Sequence, residues 1–225
     1  VLQKALADQG KVLIPAFALG RTQELLYEID RMFGEGGFEV PVFLDSPLGL
    51  EITKVYAGLS EYWDQEAREH LLRGDHPIDF EGLYAVRRHS DHKDLVRTDG
   101  PMVILAGSGM CTGGRIVNHM LEGLETPEND VLFVGYQVPG TPGHDILKWC
   151  REPDGYVVMA GHKLVIRAKV HLMPGYSAHA DRNGLLEWVN GMTDRPTRIK
   201  LVHGDDRARR ALREAFSEDG GLKSS

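Results

Sequence analysis

Two histidines near the end of the chain follow apolar, strand-like runs, which is a position where an imidazole can do chemistry. His179 lies in "GYSAHAD", and His203 lies in "IKLVHGDD". Asp181 follows the first as a candidate helix N-cap, as Asp205 or Asp206 follows the second. A helix N-terminus disfavours the charged imidazole, and the neutral form is the one that binds metals. Two histidines do not complete a zinc site, which needs at least three protein ligands. The residues alone therefore indicate an incomplete metal site. The alternative is that both histidines lie at helix starts and have no chemical role.

A glycine-rich segment and an arginine are candidates for anion binding. "AGSGMCTGGR", residues 106 to 115, connects a predicted buried strand to a predicted helix. Backbone N–H groups at such a turn can bind an anion, but a plain glycine-rich connection without a ligand is an equal alternative. Arg21, in "FALGRTQE", lies in the first turn of a predicted helix, where its charge opposes the helix dipole. This favours an anionic ligand mildly, and a solvated surface arginine is the alternative.

The remaining histidines give no comparable signal. "RRHSDH", residues 87 to 92, is charged and lacks an apolar strand before it, so we predict a solvated surface loop. His171 lies inside a predicted strand, which favours a packed or hydrogen-bonded imidazole. We assign no role to the scattered histidines His70, His76, His119, His144 and His162.

The elements that must position these residues alternate between strands and helices. "KVLIPAF", "PMVILAGSGM" and "DVLFVGYQ" are continuous apolar runs, as expected for strands buried on both faces of a parallel sheet. Helical patterns follow them, so we predict an α/β fold with a mostly parallel sheet flanked by helices. Two or three strands are expected within residues 156–173, followed by a helix at 182–190, a strand at 198–202 and a helix at 206–216.

Bulk composition limits the classes of function. The 225 residues carry a formal net charge of −7, which disfavours nucleic-acid binding through a broad basic surface. Local binding of a single phosphate group is still compatible with this charge. Cys111 and Cys150 are too few for a disulfide framework, so we predict a reduced, cytoplasmic protein. No run of about 18 apolar residues occurs, so no membrane partner is expected. Because the sequence starts at Val1 within a helical pattern, we expect a fragment of a longer protein.

Six segments together resemble the β-CASP branch of the metallo-β-lactamase fold, a family that includes RNA nucleases such as the cleavage-and-polyadenylation endonuclease subunit. They are "KVLIPAFALGRTQELLYEI", "PVFLDSPLG", "PMVILAGSGMCTGGRIVNHM", "VLFVGYQVPGTPG", "GYSAHAD" and "LVHGD", in the family's order over nearly the whole chain. The resemblance implies that residues 1–165 form the β-CASP domain. It implies that residues 166–225 form the C-terminal part of a metallo-β-lactamase αββα domain.

The same resemblance implies roles for individual residues. His179 matches the histidine that contacts the scissile phosphate and is a candidate general acid, and His203 matches a ligand of one of two zinc ions. Phosphate or RNA contacts are implied for Ser177, Arg21, Ser108, Gly109 and Arg115. A histidine at position 203 is also what the resemblance implies for the family members that act on RNA. The family's H-x-H-x-D-H motif and its other metal ligands have no counterpart in this sequence.

From the resemblance we expect a fragment of a zinc-dependent RNA-processing nuclease, a metal-dependent hydrolase that cleaves RNA with two zinc ions in the full-length protein. The expected partners are single-stranded RNA and the N-terminal lactamase portion of the same protein. The sequence leaves open whether the protein forms a homodimer. The fragment itself is expected to be inactive and not to hold zinc stably. The alternative is a non-catalytic RNA-binding or assembly module of the same fold.

Overall fold

Within the described residues, six strands pair into one sheet, and every pairing there is parallel. The computed structural model describes residues 1–36, 39–74, 76–173, 175, 180–194, 196–202 and 204–218. The strands of this sheet are β1 (Lys11–Pro15), β2 (Val42–Asp45), β3 (Leu83–Ala85), β4 (Met102–Ala106), β5 (Asp130–Phe133) and β8 (Lys169–Leu172). Their order in the sheet is β3-β2-β4-β1-β5-β8, and β6 (Tyr156–Met159) and β7 (His162–Val165) form a separate antiparallel hairpin. The predicted α/β fold with a parallel sheet is confirmed.

Helices connect these strands. In the described chain they are α1 (Leu2–Asp8), α2 (Arg21–Gly36), α3 (Pro47–Gly58), α4 (Gln65–Leu72), α5 (His89–Arg97), α6 (Arg115–Gly123), α7 (Pro142–Trp149), α8 (Arg182–Asn190) and α9 (Asp206–Glu218). Several start at residues suited to a helix N-terminus. Ser46 accepts a hydrogen bond from the Gly49 N–H at 3.1 Å, and Pro47 begins α3, a position where its missing N–H costs nothing.

The core has two parts, one on each face of the sheet. Alternate residues of a strand point to opposite faces, and the strands show this directly. Val12 and Ile14 of β1 pack with Leu25, Leu26 and other residues near α2 and α3. Leu13 packs on the other side, among residues that include buried side chains of α6 and α7. Both faces are therefore covered, which explains why the strands read as continuous apolar runs.

Residues 1–177 and 178–225 form two separate units. The second unit contains α8 and α9 in its described part. Asp181 caps α8 by accepting from the Gly184 N–H at 2.8 Å, and Asp205 caps α9 by accepting from the Ala208 N–H at 2.7 Å. The predicted strand at 198–202 is wrong, since only Ile199 makes an isolated bridge. A strand needs a neighbouring ladder, and the described residues of this unit provide two helices and no such strand.

Three strands occupy residues 156–173, as predicted, but they belong to different sheets. β6 and β7 form the hairpin, whereas β8 pairs with β5 at the edge of the large sheet. The domain boundary at residues 165 and 166 stays a prediction. None of the helices in the described chain is both long and apolar enough to cross a membrane.

Candidate functional site

The carboxyl ends of three adjacent strands form the floor of a crevice. In the sheet, Pro15 of β1 and Asp45 of β2 both stand in register with Ala106 of β4. The loops that follow these strands enclose a cavity of about 550 Å³, the sheet-edge crevice, lined by residues of the segments 16–18, 45–48, 107–108 and 114–115. The shape of this site is therefore set by the strand order.

The crevice lies where the chain reverses its direction of winding. After β1 the chain crosses through α2 to β2 on one side, and after β4 it crosses through α6 to β5 on the other. Strands β1 and β4 are neighbours, and their connections leave to opposite sides. A gap therefore opens between the two connections. Ligands of open parallel sheets bind at such switch points, outside the carboxyl ends of the strands. The fold thus provides a place for a ligand.

The glycine-rich segment forms one wall of the crevice as a closed turn. Ser108 donates its N–H to the Gly113 carbonyl at 3.0 Å, and its hydroxyl accepts from the Thr112 N–H at 3.0 Å. Gly114 has a φ of 74°, and a Cβ there would lie 2.4 Å from the Gly107 carbonyl oxygen. Only glycine fits this position. The turn presents Ser108 to the crevice and delivers Arg115 as the first residue of α6.

A fully buried carboxylate lies beneath the crevice and organises this wall. Asp45 ends β2 and has no solvent exposure. Its Oδ1 accepts from Arg115 Nη1 at 2.7 Å, and its Oδ2 lies 2.6 Å from both His92 Nδ1 and His119 Nε2. Asn118 Nδ2 contacts His92 Nε2 at 2.8 Å. If the amide donates there, His92 carries its proton on Nδ1 and donates it to Asp45. We call Asp45, His92, His119 and Arg115 the buried network.

The electrostatics of this network favour an ionised carboxylate beside a neutral His119. Burial opposes the charge of Asp45, but hydrogen bonds from His119, His92 and Arg115 outweigh it and hold the pKa of Asp45 below its usual value. Burial lowers the pKa of His119 despite the opposing effect of Asp45. His119 Nδ1 is buried without a hydrogen-bond partner, which also disfavours a second proton on this ring.

The same residues do not fit a zinc site. Asp45, His92 and His119 are the one group of three potential ligands close enough for a metal within the described residues. Both imidazole nitrogens, however, lie at hydrogen-bond distance from one carboxylate oxygen, so they face it as donors. The guanidinium of Arg115 occupies the other oxygen and would repel a cation. The arrangement is a hydrogen-bonded network that fixes Arg115.

Arg115 ties the wall of the crevice to a neighbouring loop. Beyond Asp45, its Nη1 donates to the Val86 carbonyl at 2.8 Å and its Nη2 donates to the Arg87 carbonyl at 3.1 Å. Three of the five guanidinium N–H bonds are used in this way. The Nε–H and the second Nη2–H have no partner in the part of the chain that the structure describes, and the side chain keeps 16% exposure. Arg115 can therefore both hold the fold and donate to an anion.

The other predicted site residues are not brought together at the crevice by the described part of the structure. Arg21 begins α2, but its guanidinium forms an ion pair with Glu24 of the same helix. The Gly109 carbonyl accepts from Gln137 Nε2 at 3.0 Å. Ser177, His179 and His203 lie outside the described residues. The structure therefore brings Ser108 and Arg115 to one crevice, and the roles implied for all seven residues stay predictions.

Two expectations about histidines need correction. The prediction that residues 87–92 form a solvated loop is wrong at its end, because α5 begins at His89 and His92 is 1% exposed. His92 and Leu95 lie on the same buried face of α5. His119, to which no role was assigned, is buried in the network. By contrast, His171 is hydrogen-bonded as predicted, with Nε2 at 2.5 Å from Asp130 Oδ1.

Sequence reasoning missed Asp45 altogether, although a signal existed. The residue ends an apolar strand and is followed by Ser-Pro, the start of a helix. A charged residue at the end of a buried strand, at the carboxyl edge of a parallel sheet, is a candidate site residue. His119 had a weaker signal, since it shares the buried face of α6 with Ile116, Met120 and Gly123.

Comparison with known proteins identifies the class to which this fold and crevice belong. The chain belongs to the Beta-Casp domain family, whose model matches residues 22–146. Residues 163–224 match a second model, the Zn-dependent metallo-hydrolase RNA specificity domain. The resemblance drawn from the sequence motifs is thus confirmed.

Similar proteins include nucleases and termination factors. The chain is 41% identical over 212 residues to "Ribonuclease TTHA0252" of Thermus thermophilus, with 94% of this chain and 47% of that protein covered. It is 33% identical over 211 residues to "Transcription termination factor FttA" of Pyrococcus horikoshii, with coverage of 91% and 32%. The protein of the same name from Methanosarcina mazei is 34% identical over 215 residues, with coverage of 92% and 33%. The chain therefore spans between about a third and a half of these relatives.

Proposed function

We propose that this chain is the RNA-handling part of a zinc-dependent ribonuclease that hydrolyses phosphodiester bonds. The observation that carries the proposal is the sheet-edge crevice, which presents Ser108 and Arg115 at the switch point of the parallel sheet. Two further findings support it: the match to an RNA specificity domain and the similarity to a protein named as a ribonuclease.

In this proposal a backbone phosphate of single-stranded RNA binds at the wall of the crevice. The Ser108 hydroxyl and the two remaining N–H bonds of Arg115 are its donors. Because Asp45 already fixes the guanidinium, little side-chain entropy is lost when the phosphate binds. The net charge of −7 provides no long-range attraction, so the affinity comes from local contacts.

Hydrolysis itself is assigned to residues that the crevice does not contain. His203 is proposed as a ligand of one of two zinc ions, and the family resemblance implies that the other ligands come from a lactamase portion outside this sequence. Zinc would supply Lewis-acid activation of water and charge neutralisation at phosphorus. His179 is proposed to protonate the leaving oxygen, with Ser177 beside the phosphate. On this basis residues 166–225 complete a lactamase domain, and the chain alone is inactive.

Two alanine variants in a longer protein that includes the lactamase portion test this division of roles. His203→Ala should remove most ribonuclease activity together with bound zinc. His179→Ala should slow cleavage by roughly a hundred- to ten-thousand-fold and leave zinc content unchanged, as expected for loss of a general acid. Equal zinc loss in both variants would overturn the assignment. RNA binding without any cleavage by the longer protein would favour the alternative, a non-catalytic RNA-binding or assembly module.

Binding by the chain alone is open to a separate measurement. Each phosphate contact to a single strand contributes about −0.7 to the slope of log affinity against log salt concentration. One to three local contacts therefore predict a slope between about −0.7 and −2. A cytoplasmic location is part of the proposal, because both cysteines in the structure are free thiols.

A further inference from the structure

An aromatic ring stands at the mouth of the sheet-edge crevice with half of its surface exposed. Phe17 follows β1 and lines the crevice together with Ser108 and Arg115. It is 50% exposed, although large apolar side chains are usually buried where the fold allows it. The motifs that point to phosphate binding leave this ring without a role.

The position of Phe17 is fixed by its backbone. Its carbonyl accepts from the Thr22 hydroxyl at 2.7 Å and from the Thr22 N–H at 3.2 Å. Thr22 lies in the first turn of α2 and is buried, so the loop after β1 is anchored to the helix. The carbonyl of the next residue, Ala18, accepts from buried Gln23 Nε2 at 3.2 Å. A ring on such a loop loses little freedom when it binds a ligand.

The ring is also supported from one side by the glycine-rich wall. A Cβ built on Gly109 would lie 2.9 Å from Cδ2 and from Cε2 of Phe17. A residue with a side chain at position 109 would therefore displace the ring. Gly109 lets the backbone of the wall contact Phe17 directly, while the exposed part of the ring remains available to the crevice.

We propose that Phe17 is a stacking platform for a nucleobase of single-stranded RNA, adjacent to the phosphate held at Ser108 and Arg115. This inference rests on the proposed function and deepens it, because it gives the crevice a contact to a base as well as to the backbone. Aromatic rings bind bases that are free of a duplex, since a paired base is already stacked. The substrate at this site is thus an unpaired segment, and duplex RNA is excluded.

Three substitutions of the 225-residue chain separate stacking from packing. Phe17→Leu keeps an apolar contact with Gly109 but removes the aromatic face. Phe17→Trp keeps a stacking face but enlarges the side chain against Gly109. Tyr62→Leu is the matched control, because Tyr62 is an aromatic residue with 78% exposure outside the crevice. Thermal unfolding of each variant establishes that it folds.

The readout is the affinity for a short oligoadenylate, for the same oligomer made of abasic units, and for duplex RNA of equal length. Loss of one stacked base corresponds to roughly 5- to 150-fold weaker binding. Phe17→Leu should show this loss with oligoadenylate and little change with the abasic oligomer. Phe17→Trp should bind within about threefold of wild type, since every base has a face that stacks on an indole. If Phe17 only packs against Gly109, Phe17→Leu should instead bind oligoadenylate more tightly than Phe17→Trp.

The outcomes distinguish this inference from the function on which it rests. Equal affinity of wild type and Phe17→Leu for oligoadenylate, or equal affinity of wild type for the intact and abasic oligomers, overturns stacking and leaves phosphate binding intact. Absence of binding by wild type to either single strand overturns the crevice as an RNA site and the inference with it. Duplex binding as tight as single-strand binding also contradicts the platform.

Discussion

Replacement of Asp45 by alanine removes the acceptor on which the buried network depends. The carboxylate receives three hydrogen bonds, from Arg115, His92 and His119, and has no contact with solvent. Alanine cannot accept any of them. Arg115 then keeps its two carbonyl acceptors but loses its counter-charge, and the two imidazoles lose their common partner.

The expected cost is large for a single substitution. Removing one member of a buried ion pair destabilises a protein by about 3–5 kcal/mol, because the remaining charge stays buried and uncompensated. Arg115 keeps 16% exposure, so water can reach it in part and the lower end of that range applies. We therefore expect Asp45→Ala to lower the free energy of unfolding by about 3 kcal/mol at neutral pH.

The effect has a defined dependence on pH. The folded state holds the pKa of Asp45 below its ordinary value, so the folded state binds a proton less readily than the unfolded chain. The stabilisation is then fully present above the unfolded pKa of about 4 and is lost as pH falls through the lower folded pKa. The difference between wild type and Asp45→Ala should shrink as pH falls below about 4.

Urea unfolding monitored by circular dichroism, from neutral pH to below about pH 4, measures the loss of free energy of unfolding and its dependence on pH. Asp94→Ala serves as the control, because Asp94 is an exposed acid of α5. It should change the free energy of unfolding by less than about 0.5 kcal/mol. A loss of stability for Asp45→Ala no greater than that of the control, or a difference independent of pH, would refute the account of the network.

Other consequences follow from the same geometry. Gly114→Ala should destabilise the chain by about 1–3 kcal/mol, because its φ of 74° and the nearby Gly107 carbonyl exclude a Cβ, whereas Gly113→Ala, with open space around it, should be nearly neutral in the same unfolding assay. His119→Gln should flatten the loss of stability as pH falls below about 6.5, since the lowered pKa of His119 makes the unfolded chain bind more protons there than the folded state does; an unchanged slope would contradict this. Metal analysis after dialysis should find no stoichiometric dinuclear zinc in the 225-residue chain, and zinc that disappears in His119→Gln would show that the network is a metal site.

The sheet was predictable because its strands carry a strong local signal. The run "KVLIPAF" is apolar after Lys11, as burial of the strand on both faces requires, and the structure places β1 in the middle of the sheet. The segment 198–202 contains Arg198 and Lys200 between its apolar residues, and in the described residues it forms only an isolated bridge at Ile199. Strand formation depends on a partner, which a local pattern cannot supply.

The buried network was not predictable because its members are far apart in the sequence. Asp45, His92 and His119 come from three elements, and each looks ordinary alone. His92 follows a run of charged residues, so the local composition indicated solvent. Only the strand order and the packing of α5 against α6 bring these side chains together. The glycine-rich wall, by contrast, is local and could be identified from its composition.

Photo-crosslinking of single-stranded RNA to the 225-residue chain tests most directly the claim that the sheet-edge crevice binds RNA. A short thiouridine-substituted oligomer is irradiated with the chain at low salt, and the crosslinked peptides are identified by mass spectrometry. We predict crosslinks in the segments 16–18, 45–48, 107–108 and 114–115, which line the crevice, and their loss under competition by unlabelled single strand. Crosslinks confined to segments outside the crevice, or no crosslinks under conditions where the chain is folded, would contradict the account.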